Sequence, residues 1–235
     1  MAGLRSLLFN LAFYLWTALI LIFGLPILLR PYPATYGFGR MWVSVSLWLL
    51  KHLVGLDHRA IGLENLRKGQ AIYAVKHQSA WDTLIFAHYL HYPAYVVKRE
   101  LLYLPLFGFY LLRAGMIPVD RRGRTTAMKR MLAAARRRRD QGRDLLIFPE
   151  GTRVAPGQQR PYQPGVAALY GHLDLPVVPV ALNSGLFWGR RSFSKKPGTI
   201  TLEFLPAIPP GLARKAFMAE LENCLEGACR RLAQA

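Results

Sequence analysis

The sequence predicts an α/β fold, a mixed, mostly parallel sheet flanked by helices, set behind an apolar N-terminal element. Six short apolar runs, residues 71–75, 94–97, 116–119, 145–148, 177–182 and 199–205, have the length of buried strands. Stretches of helical composition separate most of them, the alternation that lays helices on the faces of a sheet. Before residue 57 the chain is instead apolar in two longer blocks, residues 7–29 and 41–56.

The first block is broken only by Asn10, Thr17, Gly24 and Pro26. About 20 apolar residues cross a bilayer. The second block holds Trp42 and Trp48 but also Lys51 and His52, and is short for a full span. Three arrangements fit: a spanning helix followed by an interfacial one, a hairpin dipped into one leaflet, or a buried hairpin in a soluble protein. No small-residue cleavage site follows, which argues against a signal peptide. The expected division is a membrane-associated helical hairpin over residues 1–56 and a catalytic domain over residues 57–235.

The formal net charge is +18 and the sequence pI about 10.5. Such a balance suits nucleic acid or an anionic membrane surface. No recognisable nucleic-acid module with stacking aromatics is present, so no specific nucleic-acid partner is expected. Residues 124–140 read as a basic helix. Its buried face is marked by Met128, Met131, Leu132 and Ala135. Lys129, Arg130, Arg136, Arg137, Arg138 and Arg139 form either a solvated face or a surface for anionic lipid headgroups or an acidic carrier protein. Cys224 and Cys229 make no disulfide framework, and no Cys/His cluster has zinc-ligand spacing. His88 and His91 have no carboxylate partner at ligand spacing, so no metal is expected.

The chemistry concentrates where the run at 71–75 delivers His77. Ser79 reads as a helix N-cap, and Asp82 completes a capping box. On one helix His77 and Asp82 would lie well apart around the cylinder, but across a strand–turn–helix junction they converge. Asp82 would then accept the Nδ1 hydrogen of His77 and leave Nε2 free as a general base. The plainer alternative is a capping acid beside an ordinary strand-end histidine. After Lys98, residues 101–112 are apolar and aromatic, either core or the wall of a hydrocarbon slot, with Gly108 and Gly115 permitting close ligand approach. Arg121 follows the run at 116–119, where it would grip a phosphate bidentately. The run at 145–148 enters Pro149-Glu150-Gly151-Thr152-Arg153, whose amides, hydroxyl and guanidinium suit a phosphate cradle. Glu150 is expected to hold Arg153 or Arg121, or to bond a ligand hydroxyl. Asn183-Ser184-Gly185 is a polar turn, and residues 211–235 a basic amphipathic helix.

Together these blocks resemble the glycerolipid acyltransferase family, specifically its bacterial 1-acylglycerol-3-phosphate acyltransferases. His77-Gln78-Ser79-Ala80-Trp81-Asp82 looks like the family's His-x4-Asp block. Lys98 through Gly108 to Arg121 looks like its second, Phe148 through Arg153 its third, and Val178-Pro179-Val180 its fourth. The likeness spans residues 57–205.

The resemblance implies acyl transfer from acyl-carrier protein or acyl-CoA to the sn-2 hydroxyl of lysophosphatidate, without a cofactor. It implies His77 as base and Asp82 as its partner. Arg121, Glu150, Gly151, Thr152 and Arg153 would bind the acceptor, with Lys98 on acceptor or oxyanion. Leu101, Leu104, Phe107 and Gly108 would line the acyl-chain pocket. It also implies an N-terminal two-helix membrane element, favouring the leaflet-dipping hairpin. The expected location is the inner (cytoplasmic) membrane, with the catalytic domain facing the cytoplasm. Another lyso-lipid acceptor, such as a lyso-ornithine lipid, and a catalytically silent membrane-binding protein are the competing expectations.

Overall fold

The computed structural model describes residues 2–120 and 123–234. Helix α1 (Ala2–Phe23) enters a 3-10 turn (Leu25–Leu29) and the chain returns as α2 (Tyr32–Leu49), packed against α1. Gly24 makes the reversal possible, because a Cβ there would fall 2.2 Å from the Phe38 ring. α2 begins well before the apolar block at 41. Pro31 and Pro33 lie at its start, where a missing N–H costs nothing, so the helix begins at Tyr32. A π-helical turn (Leu50–Val54) extends α2, and Gly55 ends it in the left-handed region at φ +79°.

The sheet then builds in chain order. β1 (Leu56–Ile61) and β2 (Ile72–Val75) come first, followed by a 3-10 turn (Trp81–Thr83) and the short α3 (Phe86–Tyr89). β3 (Ala94–Lys98), a 3-10 turn (Arg99–Tyr103), α4 (Phe107–Arg113) and β4 (Ile117–Val119) follow. The chain continues through α5 (Arg124–Asp140), β5 (Leu145–Ile147), α6 (Pro164–Leu173), β6 (Val177–Leu182), β7 (Gly198–Phe204) and α7 (Arg214–Gln234). The strand order is β1-β7-β6-β2-β5-β3-β4. Every neighbouring pair is parallel except β6–β7, so the sheet is mixed and mostly parallel, as expected.

All six apolar runs are strands. β1 is the strand the sequence conceals. Asp57-His58-Arg59 breaks the apolar pattern, and an edge strand with one neighbour tolerates this. Side chains of β2 alternate between two cores. Ile72 and Ala74 face α5, α6 and α7 through Met131, Val166, Leu169, Phe217, Leu221 and Leu225. Tyr73 and Val75 face the other layer, which includes Phe9 of α1, Leu50, Val54, Trp81 and Phe86. The hairpin therefore packs into the second core as well as beside it.

Because β2 to β6 run parallel, their C-terminal ends share one edge of the sheet. That edge receives His77 after β2, Lys98 at the end of β3, Phe148 after β5 and Ser184 after β6. In open α/β sheets this edge is where ligands bind.

Candidate active site

Asp82 lies in the 3-10 turn after β2, and its Oδ2 is 3.0 Å from Nδ1 of His77. The same oxygen accepts the backbone N–H of Gln78 at 2.7 Å and of Ser79 at 2.8 Å. Ser79 Oγ in turn accepts the N–H of Trp81 at 3.2 Å. Asp82 thus makes both the histidine contact and the carboxylate half of the expected capping box, alternatives in the sequence, while the Ser79 hydroxyl bonds Trp81 rather than Asp82 and the turn that follows is 3-10, capped at Ala80. Oδ1 accepts the hydroxyl of Ser184 at 2.5 Å. Asp82, Ser79 and Ser184 are fully buried, which holds the carboxylate in one place. With Nδ1–H donated to Asp82, Nε2 of His77 has no hydrogen-bond partner among the described residues. The Phe148 ring stacks on the imidazole at 4.0 Å between centroids and 21°, fixing its plane.

The turn after β5 is tied to the same spot. Gly151 donates to Phe148 O at 2.9 Å and adopts φ +66°, a conformation that favours glycine. Val154 N–H donates to His77 O at 2.8 Å. Glu150 departs from expectation. Its side chain is turned inward and buried, rather than toward an arginine or a ligand. Oε2 accepts the backbone N–H of His77 at 3.1 Å, and Oε1 lies 2.7 Å from Nζ of the buried Lys76. Nζ also donates to Oε1 of Glu226 at 2.6 Å, and Tyr162 donates to that same oxygen at 2.8 Å. A buried ammonium needs counter-charge, and Glu150 supplies part of it. Burial works against the Lys76 ammonium, but the bonds to Glu150 and Glu226 outweigh it and hold its pKa above the ordinary lysine value. Burial pushes the Glu150 carboxyl up, against the pull of Lys76.

A cleft of about 1010 Å³ opens against His77. Its apolar walls come from the hairpin (Ile20, Leu21, Phe38, Trp42), from α4 (Phe107, Tyr110, Leu111) and from α5 (Met128, Met131). Lys98, Thr152, Arg153, Arg190 and Arg191 also line it. Lys98 pairs with Glu100 at 3.2 Å at the surface. Of the residues assigned to an acyl-chain pocket, Leu101 and Phe107 line this cleft, whereas Leu104 does not and is exposed. Arg121 lies outside the described residues. Arg190 and Arg191 went unassigned in the sequence, where the only signal is a pair of arginines after the polar turn at 183–185.

Gly108 and Gly115 do not serve ligand approach. A Cβ at Gly108 would sit 2.0 Å from Leu102 O, and one at Gly115 2.3 Å from Arg143 Nη1. Both glycines admit other parts of the protein. Gly108→Ala is therefore expected to cost about 1–3 kcal/mol through overpacking. A urea melt reads this directly, and an unchanged midpoint would mean that α4 relaxes freely away from residues 99–103.

Chemically, the site offers an oriented imidazole with one free nitrogen at an apolar cleft that guanidinium groups also line. The acyltransferase family profile matches residues 58–183, more than half of the 235 residues. The chain belongs to this family. The acyltransferase is 35% identical over 211 residues to the 1-acyl-sn-glycerol-3-phosphate acyltransferase of Pseudomonas aeruginosa, covering 88% of this chain and 81% of that protein. To the protein of the same name from Limnanthes alba it is 30% identical over 185 residues, covering 77% of this chain and 66% of that one. The crystal structure of the 1-acyl-sn-glycerophosphate (LPA) acyltransferase, PlsC, from Thermotoga maritima has the same fold. It superposes with a TM-score of 0.77 over 99% of both chains, at 19% identity. The family match to the acyltransferase contains His77, Asp82 and the turn at 149–153, and ends before α7.

Proposed function

We propose that this acyltransferase moves a fatty acyl chain from a thioester, on acyl-carrier protein or coenzyme A, to the sn-2 hydroxyl of 1-acylglycerol-3-phosphate, giving phosphatidate. The observation that carries this reading is the 3.0 Å contact between His77 Nδ1 and Asp82 Oδ2 at the wall of a cleft also lined by Arg153. Nε2 of His77 takes the hydroxyl proton as the oxygen attacks the thioester carbonyl. Asp82 steadies the imidazolium that forms. When the tetrahedral intermediate collapses, the C–S bond breaks and His77 returns its proton to the departing thiolate. Lys98 or backbone amides serve the oxyanion. Ser79 is buried and its oxygen accepts from Trp81, which favours direct transfer over an acyl-enzyme.

Thr152 and Arg153, with Arg190 and Arg191 beside them on the cleft wall, suit an acceptor phosphate. Charge-assisted bonds of this kind contribute roughly 1.5–3 kcal/mol each. Arg153→Ala should therefore raise KM for lysophosphatidate about tenfold or more, with a smaller change in kcat. Unaltered acceptor saturation would take Arg153 out of the phosphate site.

We take residues 1–56 as a hairpin resting in one leaflet of an anionic membrane, the catalytic domain on the cytoplasmic side. α1 is long and apolar enough to cross a membrane, and only 11% of its most apolar window is buried. Leu11, Tyr14, Leu15 and Phe23 face outward. Its other face is tied to the domain near both ends, by Ser6 to Lys195, Phe9 to Trp188 and the Tyr110 hydroxyl to Leu21 O at 3.1 Å. A helix tied to the domain near both ends suits lying in an interface better than crossing.

The deciding assay offers acyl-CoA and acyl-carrier protein, each against lysophosphatidate and a lyso-ornithine lipid, with His77→Ala alongside. Transfer to lysophosphatidate that the variant loses supports the reading. Transfer only to the phosphate-free acceptor overturns the substrate, and no transfer at all overturns the reaction.

A further inference from the structure

We infer that the C-terminal helix α7 braces the His77–Asp82 pair from beneath, with Glu226 as a positioning residue. The inference rests on the role proposed for that pair. Two strings of bonds leave α7. In the first, Glu226 accepts from Lys76 at 2.6 Å, Lys76 lies 2.7 Å from Glu150, and Glu150 accepts the backbone N–H of His77 at 3.1 Å. In the second, Asn183 Nδ2 donates to Leu232 O at 3.0 Å and Asn183 Oδ1 accepts Thr201 N–H at 2.9 Å. The next residue, Ser184, gives its hydroxyl to Asp82 at 2.5 Å. One string ends on the histidine and the other on its partner.

Stability alone does not call for the first string. α7 is already anchored by Phe217, Leu221, Leu225 and Ala228, all fully buried. Lys76, Glu150 and Glu226 are 2%, 2% and 7% exposed. A buried charge cluster of this kind is commonly no more stabilising than apolar residues of the same volume. What the cluster adds is direction. With Glu226 in place, Lys76 is shared between two carboxylates, and Glu150 keeps its second oxygen on the His77 amide. Without Glu226, the ammonium pulls on Glu150 alone and draws it off that amide.

The test compares Glu226→Gln and the double variant Lys76→Met/Glu226→Leu with the wild type. It reads kcat, KM, Tm and deuterium uptake of the segment 76–82. Glu226→Gln keeps size and a hydrogen-bonding oxygen, so it is expected to fold. Its kcat should fall about ten- to a hundredfold, the cost of a misplaced catalytic group, while KM for both substrates stays near wild type. The double variant leaves the Glu150 carboxyl buried without its cation and Tyr162 without its acceptor, so its Tm should fall. Its kcat should fall at least as far as in Glu226→Gln, and segment 76–82 should exchange faster in both. A Glu226→Gln variant with wild-type kcat and uptake, whatever its Tm, would make the cluster purely structural and overturn the inference. A wild type that transfers no acyl group counts against the reaction proposed above, and the uptake comparison still reads the brace.

Discussion

His77→Ala should lower kcat by about two to four orders of magnitude while the protein stays folded, since general-base catalysis contributes about that much. The substitution is clean for a structural reason. Asp82 keeps three other donors, the N–H groups of Gln78 and Ser79 and the hydroxyl of Ser184, so no buried carboxylate is stranded. The converse change is not clean. Asp82→Ala would leave those three groups without an acceptor in a buried site, at about 1–3 kcal/mol each, mixing lost stability with lost rate. Steady-state kinetics with a thermal melt on the same His77→Ala sample separates the two. A variant keeping more than about a tenth of wild-type kcat would remove His77 from the chemistry.

Removing residues 1–56 should cost the protein its fold, and membrane release would not be the first thing observed. Phe9, Leu50 and Val54 are 1%, 1% and 0% exposed, in the same core as Tyr73 and Val75 of the central strand. Each such side chain contributes about 1.5–3 kcal/mol of burial. Three of them rival the whole net stability of a typical domain, about 5–15 kcal/mol. The cut also opens the site of Lys195. Its backbone N–H bonds Ser6 Oγ at 2.9 Å, and its ammonium bonds Asn10 and lies 5.2 Å from the Phe9 ring. Burial there holds the Lys195 pKa down to about 8. Circular dichroism of the purified 57–235 fragment is the check. A cooperative melt close to that of the full chain would show that the hairpin is a detachable anchor.

The sequence made the central strands easy to read and the supports of the site hard to read. Strands such as Ile72–Val75 and Val177–Leu182 are buried on both faces, and continuous apolar runs record that. β1 faces neighbours on one side only, and its charges hide it. The His77–Asp82 pair was legible because both residues belong to one turn. Ser184 was not, because it reaches Asp82 only through the placement of β6 beside β2, and strand order is not written in local pattern. Glu150 was misread for the same reason. Local spacing offered it Arg153, while the fold offered it Lys76 from another strand and Glu226 from the far end of the chain. Gly108 and Gly115 looked like space for a ligand because neither the fold-back of Leu102 onto Gly108 nor the approach of the Arg143 side chain to Gly115 is written in local pattern.

The cleft is walled on one side by Ile20, Leu21, Phe38 and Trp42, residues of the same hairpin whose outward face is apolar. Were that hairpin seated in a leaflet as proposed, the acyl chain of the acceptor would pass from lipid to protein without crossing water. The quantity sensed for the lipid acceptor would then be a mole fraction in the plane of the membrane, not a molarity in the bulk. For that acceptor inert lipid would act as a diluent and added buffer would not, so its saturation would become a property of bilayer composition while the thioester donor would still be met from solution.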